Sequence, residues 1–70
     1  MVSGLVEVAR FDTPLRAELA RMFVESYGLN ALVFDGNLYN NSEGALIGVR
    51  LMVPEDEADE ALEALRDYRP

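Results

Sequence analysis

A two-layer α+β domain of element order β-α-β-β-α is the fold class this sequence predicts, and three observations predict it. Ile47, Val49, Leu51 and Val53 alternate with Gly48, Arg50 and Met52, the period of two expected of a half-buried strand. Asp12-Thr13-Pro14 follows the strand-like run Leu5 to Phe11 and carries a helix-start signal. A second, acidic helix-like segment opens directly after Pro54.

Each element has its own reason. In the first strand, strict alternation puts Val6 and Val8 on one face and Glu7 and Ala9 on the other. Thr13 or Asp12 can accept from orphan helical N–H groups, and proline loses nothing at the first helical position. The helix is expected over Pro14 to Tyr27, with Leu15, Leu19, Met22 and Phe23 as its buried stripe. Arg16, Glu18, Arg21 and Glu25 are then expected in solvent, with Glu18–Arg21 and Arg21–Glu25 spaced for ion pairs. Gly28 stands where a left-handed residue ends a helix.

Leu29 to Phe34 reads as a short strand and Asp35-Gly36 as a turn. Gly36 to Ala45 is polar and longer than a tight hairpin loop, so it is expected outside the core. A strand follows over Leu46 to Val53, ended by Pro54. Glu55-Asp56-Glu57 begins the second helix, whose expected stripe is Ala58, Ala61, Leu62, Leu65 and Tyr68. Right-handed crossover leaves a gap between the first two strands that the third fills. The expected sheet order is 1-3-2 with both helices on one face. This is a ferredoxin-like plan without its last strand. It leaves the first strand with a free edge and one sheet face uncovered.

The chain has 70 residues, half of them hydrophobic, enough for a single domain over 1–70. It contains no cysteine and no histidine, so disulfides, thiolate chemistry and the usual zinc ligands are not expected. Thirteen acids against six arginines give a net charge of −7, which disfavours nucleic acid as a partner. No apolar run approaches the roughly 20 residues of a membrane helix. The N-terminal run is interrupted by Glu7 and Arg10 and lacks the look of a secretion signal, so the expected compartment is the cytoplasm.

Three passages carry a family resemblance: Asp12-Thr13-Pro14-Leu15-Arg16-Ala17-Glu18-Leu19, Glu25-Ser26-Tyr27-Gly28-Leu29-Asn30-Ala31, and Val49-Arg50-Leu51-Met52-Val53-Pro54-Glu55-Asp56. Together, across nearly the whole chain, they resemble the small bacterial family of putative prokaryotic signal-transducing proteins. The resemblance implies a PII-like, ferredoxin-like α/β fold and a signalling role. It brings no catalytic residues to carry over. The 36–45 segment does not offer the glycine-rich nucleotide contacts of PII proteins, so ATP and other cofactors are not expected.

Candidate sites are sparse. The acids Glu55, Asp56, Glu57, Asp59 and Glu60 are better read as complements to a helix N-terminus than as cation ligands. Asp35-Gly36-Asn37-Leu38-Tyr39 fails as a calcium loop, because the position that needs glycine is Asn40. Asn40-Asn41-Ser42 is a chance glycosylation tripeptide, and Ser42 beside Glu43 lacks any base able to activate it. An acylphosphatase-like phosphate cradle would need a glycine-rich loop where Asp12-Thr13-Pro14 stands. The expectation is therefore no enzyme and no metal.

What remains is a non-catalytic regulatory or interaction module with a protein partner, possible as a homodimer. Its contacts are expected on the uncovered sheet face, through Glu7, Phe11, Leu32, Phe34, Arg50 and Met52, or at the free strand edge. A cross-strand Glu7–Arg50 pair is the structural role those two residues would otherwise fill. The alternative is a metabolite sensor that binds through Tyr39, Asn40, Asn41 and Ser42 of the 36–45 loop.

Overall fold

A computed structural model of the chain describes residues 4–35 and 48–68. The elements are β1 (Leu5–Phe11), α1 (Pro14–Glu25), β2 (Leu32–Asp35), β3 (Val49–Pro54) and α2 (Ala58–Arg66), with a 3-10 turn over Glu55–Glu57 leading into α2. The three strands form one sheet in the order β1-β3-β2, with β3 antiparallel to both neighbours. The β-α-β-β-α order and the 1-3-2 sheet are those expected from sequence, and β1 and β2 form its edges.

The local chemistry explains where elements begin and end. Thr13 adopts extended backbone, and its Oγ1 accepts from the Arg16 N–H at 3.2 Å, with Pro14 at the start of the helix. α1 stops at Glu25, two residues short of the expected end, because Tyr27 and Gly28 turn back onto Val24 and Glu25. Gly28 has φ +84, the left-handed conformation that glycine adopts freely. The expected pairs of Arg21 with Glu18 and with Glu25 are formed, the latter at 2.9 Å.

Both helices lie on the face presented by Val49, Leu51 and Val53, each 0% exposed. Val6, Ala9, Phe11 and Val33 pack from the sheet into the same core. From the helices come Ala17, Ala20 and Val24 of α1 and Ala61 and Ala64 of α2. This corrects the expected stripes: Leu15 is 68% exposed, Leu19, Met22 and Leu62 are also exposed, and Phe23 is only half-buried. The sheet already fills the interlayer space with branched side chains, so the helices approach through small ones. Phe23 instead closes the helix layer with Tyr68, their rings 5.0 Å apart.

The sharpest departure from simple alternation is in β1. Glu7 pairs with Met52 and Ala9 with Leu51, so Val8 is an extra residue, a β-bulge. One added residue reverses the facing of all that follows. Ala9 and Phe11 consequently join Val6 on the helix side, where Phe11 pairs with Val49, and Arg10 moves to the open side opposite Arg50. Phe11 is thus not on the uncovered face where alternation placed it.

Candidate functional site

The open sheet face is built in rows across the three strands. One row is Phe34, Arg50 and Arg10; the next is Leu32, Met52 and Glu7; the last is Pro54 and Leu5. Five of the six sequence-predicted interaction residues meet here, Phe11 being the exception. Leu5, Leu32 and Phe34 are large apolar side chains left exposed. Such residues gathered on one face of a small domain are unusual for a surface that only meets water.

The charged groups are arranged by the bulge. In a regular strand Glu7 and Arg10 would point to opposite faces. With Val8 bulged they share one, and Arg10 grips the Glu7 carboxylate with Nε at 3.1 Å and Nη2 at 2.9 Å. The hydrogen bonds from Arg10, with a smaller attraction to Arg50, hold the Glu7 carboxyl below its ordinary value of 4.5. The expected Glu7–Arg50 pair is replaced by this Glu7–Arg10 fork. Arg50 Nε is shielded from water and has no hydrogen-bond partner among the described residues. Sequence reasoning missed Arg10, although a signal was there: two opposite charges three apart in a strand cannot share a face unless the alternation breaks.

Two other surface features lie on the helix layer. Leu15, Leu19 and Met22 recur at i, i+4 and i+7 along the outside of α1. A cleft of about 260 Å³ opens near the end of α1 and the side of α2, lined by Tyr27, Leu29, Glu60, Glu63, Ala64 and Asp67. Nearby, Glu57 is a tether: its Oε1 accepts from the Asn30 N–H at 2.8 Å and its Oε2 from Asn30 Nδ2 at 3.1 Å. Among the described residues, no three acidic side chains converge as a metal site, and no helix is long and apolar enough to cross a membrane. Tyr39, Asn40, Asn41 and Ser42, the candidate recognition loop, lie outside the described residues.

Comparison with known proteins gives one result that bears on role. The sequence profile of a family described as "Putative prokaryotic signal transducing protein" matches residues 5–69. No curated protein and no solved structure shows a significant match.

Proposed function

The chain belongs to the family of putative prokaryotic signal transducing proteins, and from that premise we propose that it transmits its signal by binding a protein partner on the open sheet face. The observation that carries the reading is the composition of that face. Leu5, Leu32, Phe34 and Met52 surround Arg50 and the Glu7–Arg10 fork, the mixture of apolar anchors and arginine that protein interfaces favour. Among the described residues β1 and β2 are the sheet edges; they border the same face and offer backbone groups to an added strand.

The role needs no catalysis. Glu7, the one carboxylate on the face among the described residues, is clamped by Arg10 and held ionised, which makes it a weak proton acceptor at neutral pH. A module of this kind acts by being bound and released. Site-specific photo-crosslinking in bacterial cells tests the proposal. A photoreactive side chain at Phe34 or Met52 is expected to yield discrete protein adducts, and one at Asp59 on α2 is not. Adducts at Asp59 with none at the sheet positions would overturn it.

A further inference from the structure

Resting on the docking role just assigned to the sheet face, we propose that this face recognises an acidic segment of a partner protein. A carboxylate of the segment pairs with the Arg50 guanidinium, and neighbouring apolar side chains settle on Phe34, Leu32 and Met52.

The first ground is a deficit of negative charge. The face holds two guanidiniums, Arg10 and Arg50, directly opposite each other in the β1–β3 register. Like charges in that position oppose one another and destabilise the pairing. Among the described residues Glu7 is the only carboxylate on the face, and both its oxygens are engaged by Arg10. Arg50 is left with a shielded Nε and no ion pair among the described residues. A shielded guanidinium nitrogen without an acceptor is costly, and a carboxylate is the acceptor its fork fits best.

The second ground is how charge is distributed over the molecule. The stretch from Glu55 to Asp67 carries seven carboxylates and a single arginine, a net −6 of the chain's −7. The sheet face, on the opposite side of the domain, carries a net +1 from its described residues Arg10, Arg50 and Glu7. An acidic partner is therefore repelled from the α2 side and accepted only on the sheet side. A second copy of this chain does not meet the need. Among the described residues, apposing two such faces brings four guanidiniums to two carboxylates and preserves the deficit. A nucleic-acid strand would meet the charge but not the apolar row of Leu32 and Met52, and the whole chain repels it.

The third ground is the placement of Phe34. It pairs with Arg50 in the β2–β3 register and is still 41% exposed. An incoming side chain can cover the ring and, in doing so, exclude water from the guanidinium beside it. Excluding water strengthens the ion pair. A carboxylate with an apolar neighbour is thus bound better than either group alone.

The test uses the whole chain and a defined probe, the blocked peptide acetyl-Glu-Phe-Glu-Leu-Glu-amide, with its all-glutamine counterpart as control. The chain has six arginines and no lysine, so arginine Nε–H resonances in an NMR titration report each cation separately. The expected result is a saturable shift at Arg50 Nε–H and at the Phe34 and Met52 amides, weakened by added salt. Binding should fall about ten-fold or more for the glutamine peptide and for Arg50→Gln, as loss of a charge-assisted pair requires. Arg66→Gln, on α2, should bind as the parent does.

Several results would overturn the inference. Equal binding of both peptides on the sheet face removes the carboxylate recognition and leaves the docking reading standing. Shifts confined to the helix layer remove both. Inorganic phosphate moving Arg50 as tightly as the peptide does would make this an anion point and not a segment-binding face. A doubling of mass with concentration, with the sheet amides affected and no peptide present, would make the occupant a second copy. An unmoved Arg50 up to the solubility limit of the acidic peptide also refutes it.

Discussion

The two faces of the sheet are made by the same strands and have opposite characters. On the closed face Val49, Leu51 and Val53 of β3 are fully buried against alanines of both helices. On the open face their neighbours Arg50, Met52 and Pro54 alternate with them and stand between Leu32, Phe34 and Arg10. Among the described residues five of the nine buried apolar residues are alanine, while eight large apolar side chains are exposed. A domain of this size has little core to spare, so leaving leucine and phenylalanine on the surface forgoes stabilisation. The difference teaches that the closed face holds the fold and the open face is shaped by another requirement, which we assign to docking.

That contrast can be broken at its strongest point. Leu51→Ala empties the largest fully buried side chain of the core, and the expected loss is about 2–5 kcal/mol, read from urea or thermal unfolding. A loss below about 1 kcal/mol would show that the closed face does not dominate stability. Gly48→Ala comes next. Gly48 has φ +72, and a Cβ there would lie 3.0 Å from the Phe11 carbonyl oxygen, backbone that cannot swing aside. Strain and clash together should cost about 1–3 kcal/mol, seen as a lower unfolding midpoint. Gly28→Ala, also at positive φ but in open space, should cost less, about 1 kcal/mol.

Smaller effects sharpen the comparison. Glu57→Ala removes both hydrogen bonds to Asn30 and should cost about 1 kcal/mol, since the pair is exposed. Acid unfolding isolates the Glu7–Arg10 fork. The folded carboxyl is held below its ordinary value of 4.5, so its contribution is fully present above that pH and is lost as pH falls through the depressed value. Glu7→Gln should therefore be slightly less stable than the parent at neutral pH and lose less on acidification. Equal acid limbs in parallel titrations would remove the fork from the account. The smallest change in stability is expected on the open face itself. Leu32→Thr keeps a strand-favouring residue at a half-exposed edge, so unfolding should shift by less than about 1 kcal/mol while docking weakens.

How much was legible in the sequence depended on how local the signal is. The Thr13 cap, Gly28 and the Val49-Leu51-Val53 alternation are each fixed by a few neighbouring residues and appear where expected, whereas β3 runs through Pro54, one residue past its expected end. Arg50 and Met52 of the open face followed from that alternation, Glu7 from the parity of the first strand, and Leu32 and Phe34 from the second. The bulge at Val8 was written in the chain as apolar residues at 6, 8, 9 and 11 with charges at 7 and 10. Assuming unbroken alternation misplaced Phe11 and hid Arg10.

The helix stripes could not be settled locally. α1 offers two apolar stripes, the large Leu15, Leu19 and Met22 and the small Ala17, Ala20 and Val24, and periodicity accommodates both. Which one turns inward depends on the volume left by Val6, Val33, Leu51 and Val53 across the interface. The sequence by itself determined the order of elements, their caps and the sheet order, because backbone geometry and connection chirality act over short stretches or through general rules. Only the tertiary structure decided that alanines face the core, that Glu7 belongs to Arg10, and that Arg50 is left over. Each of those outcomes is a competition between side chains distant in sequence for the same space or the same charge.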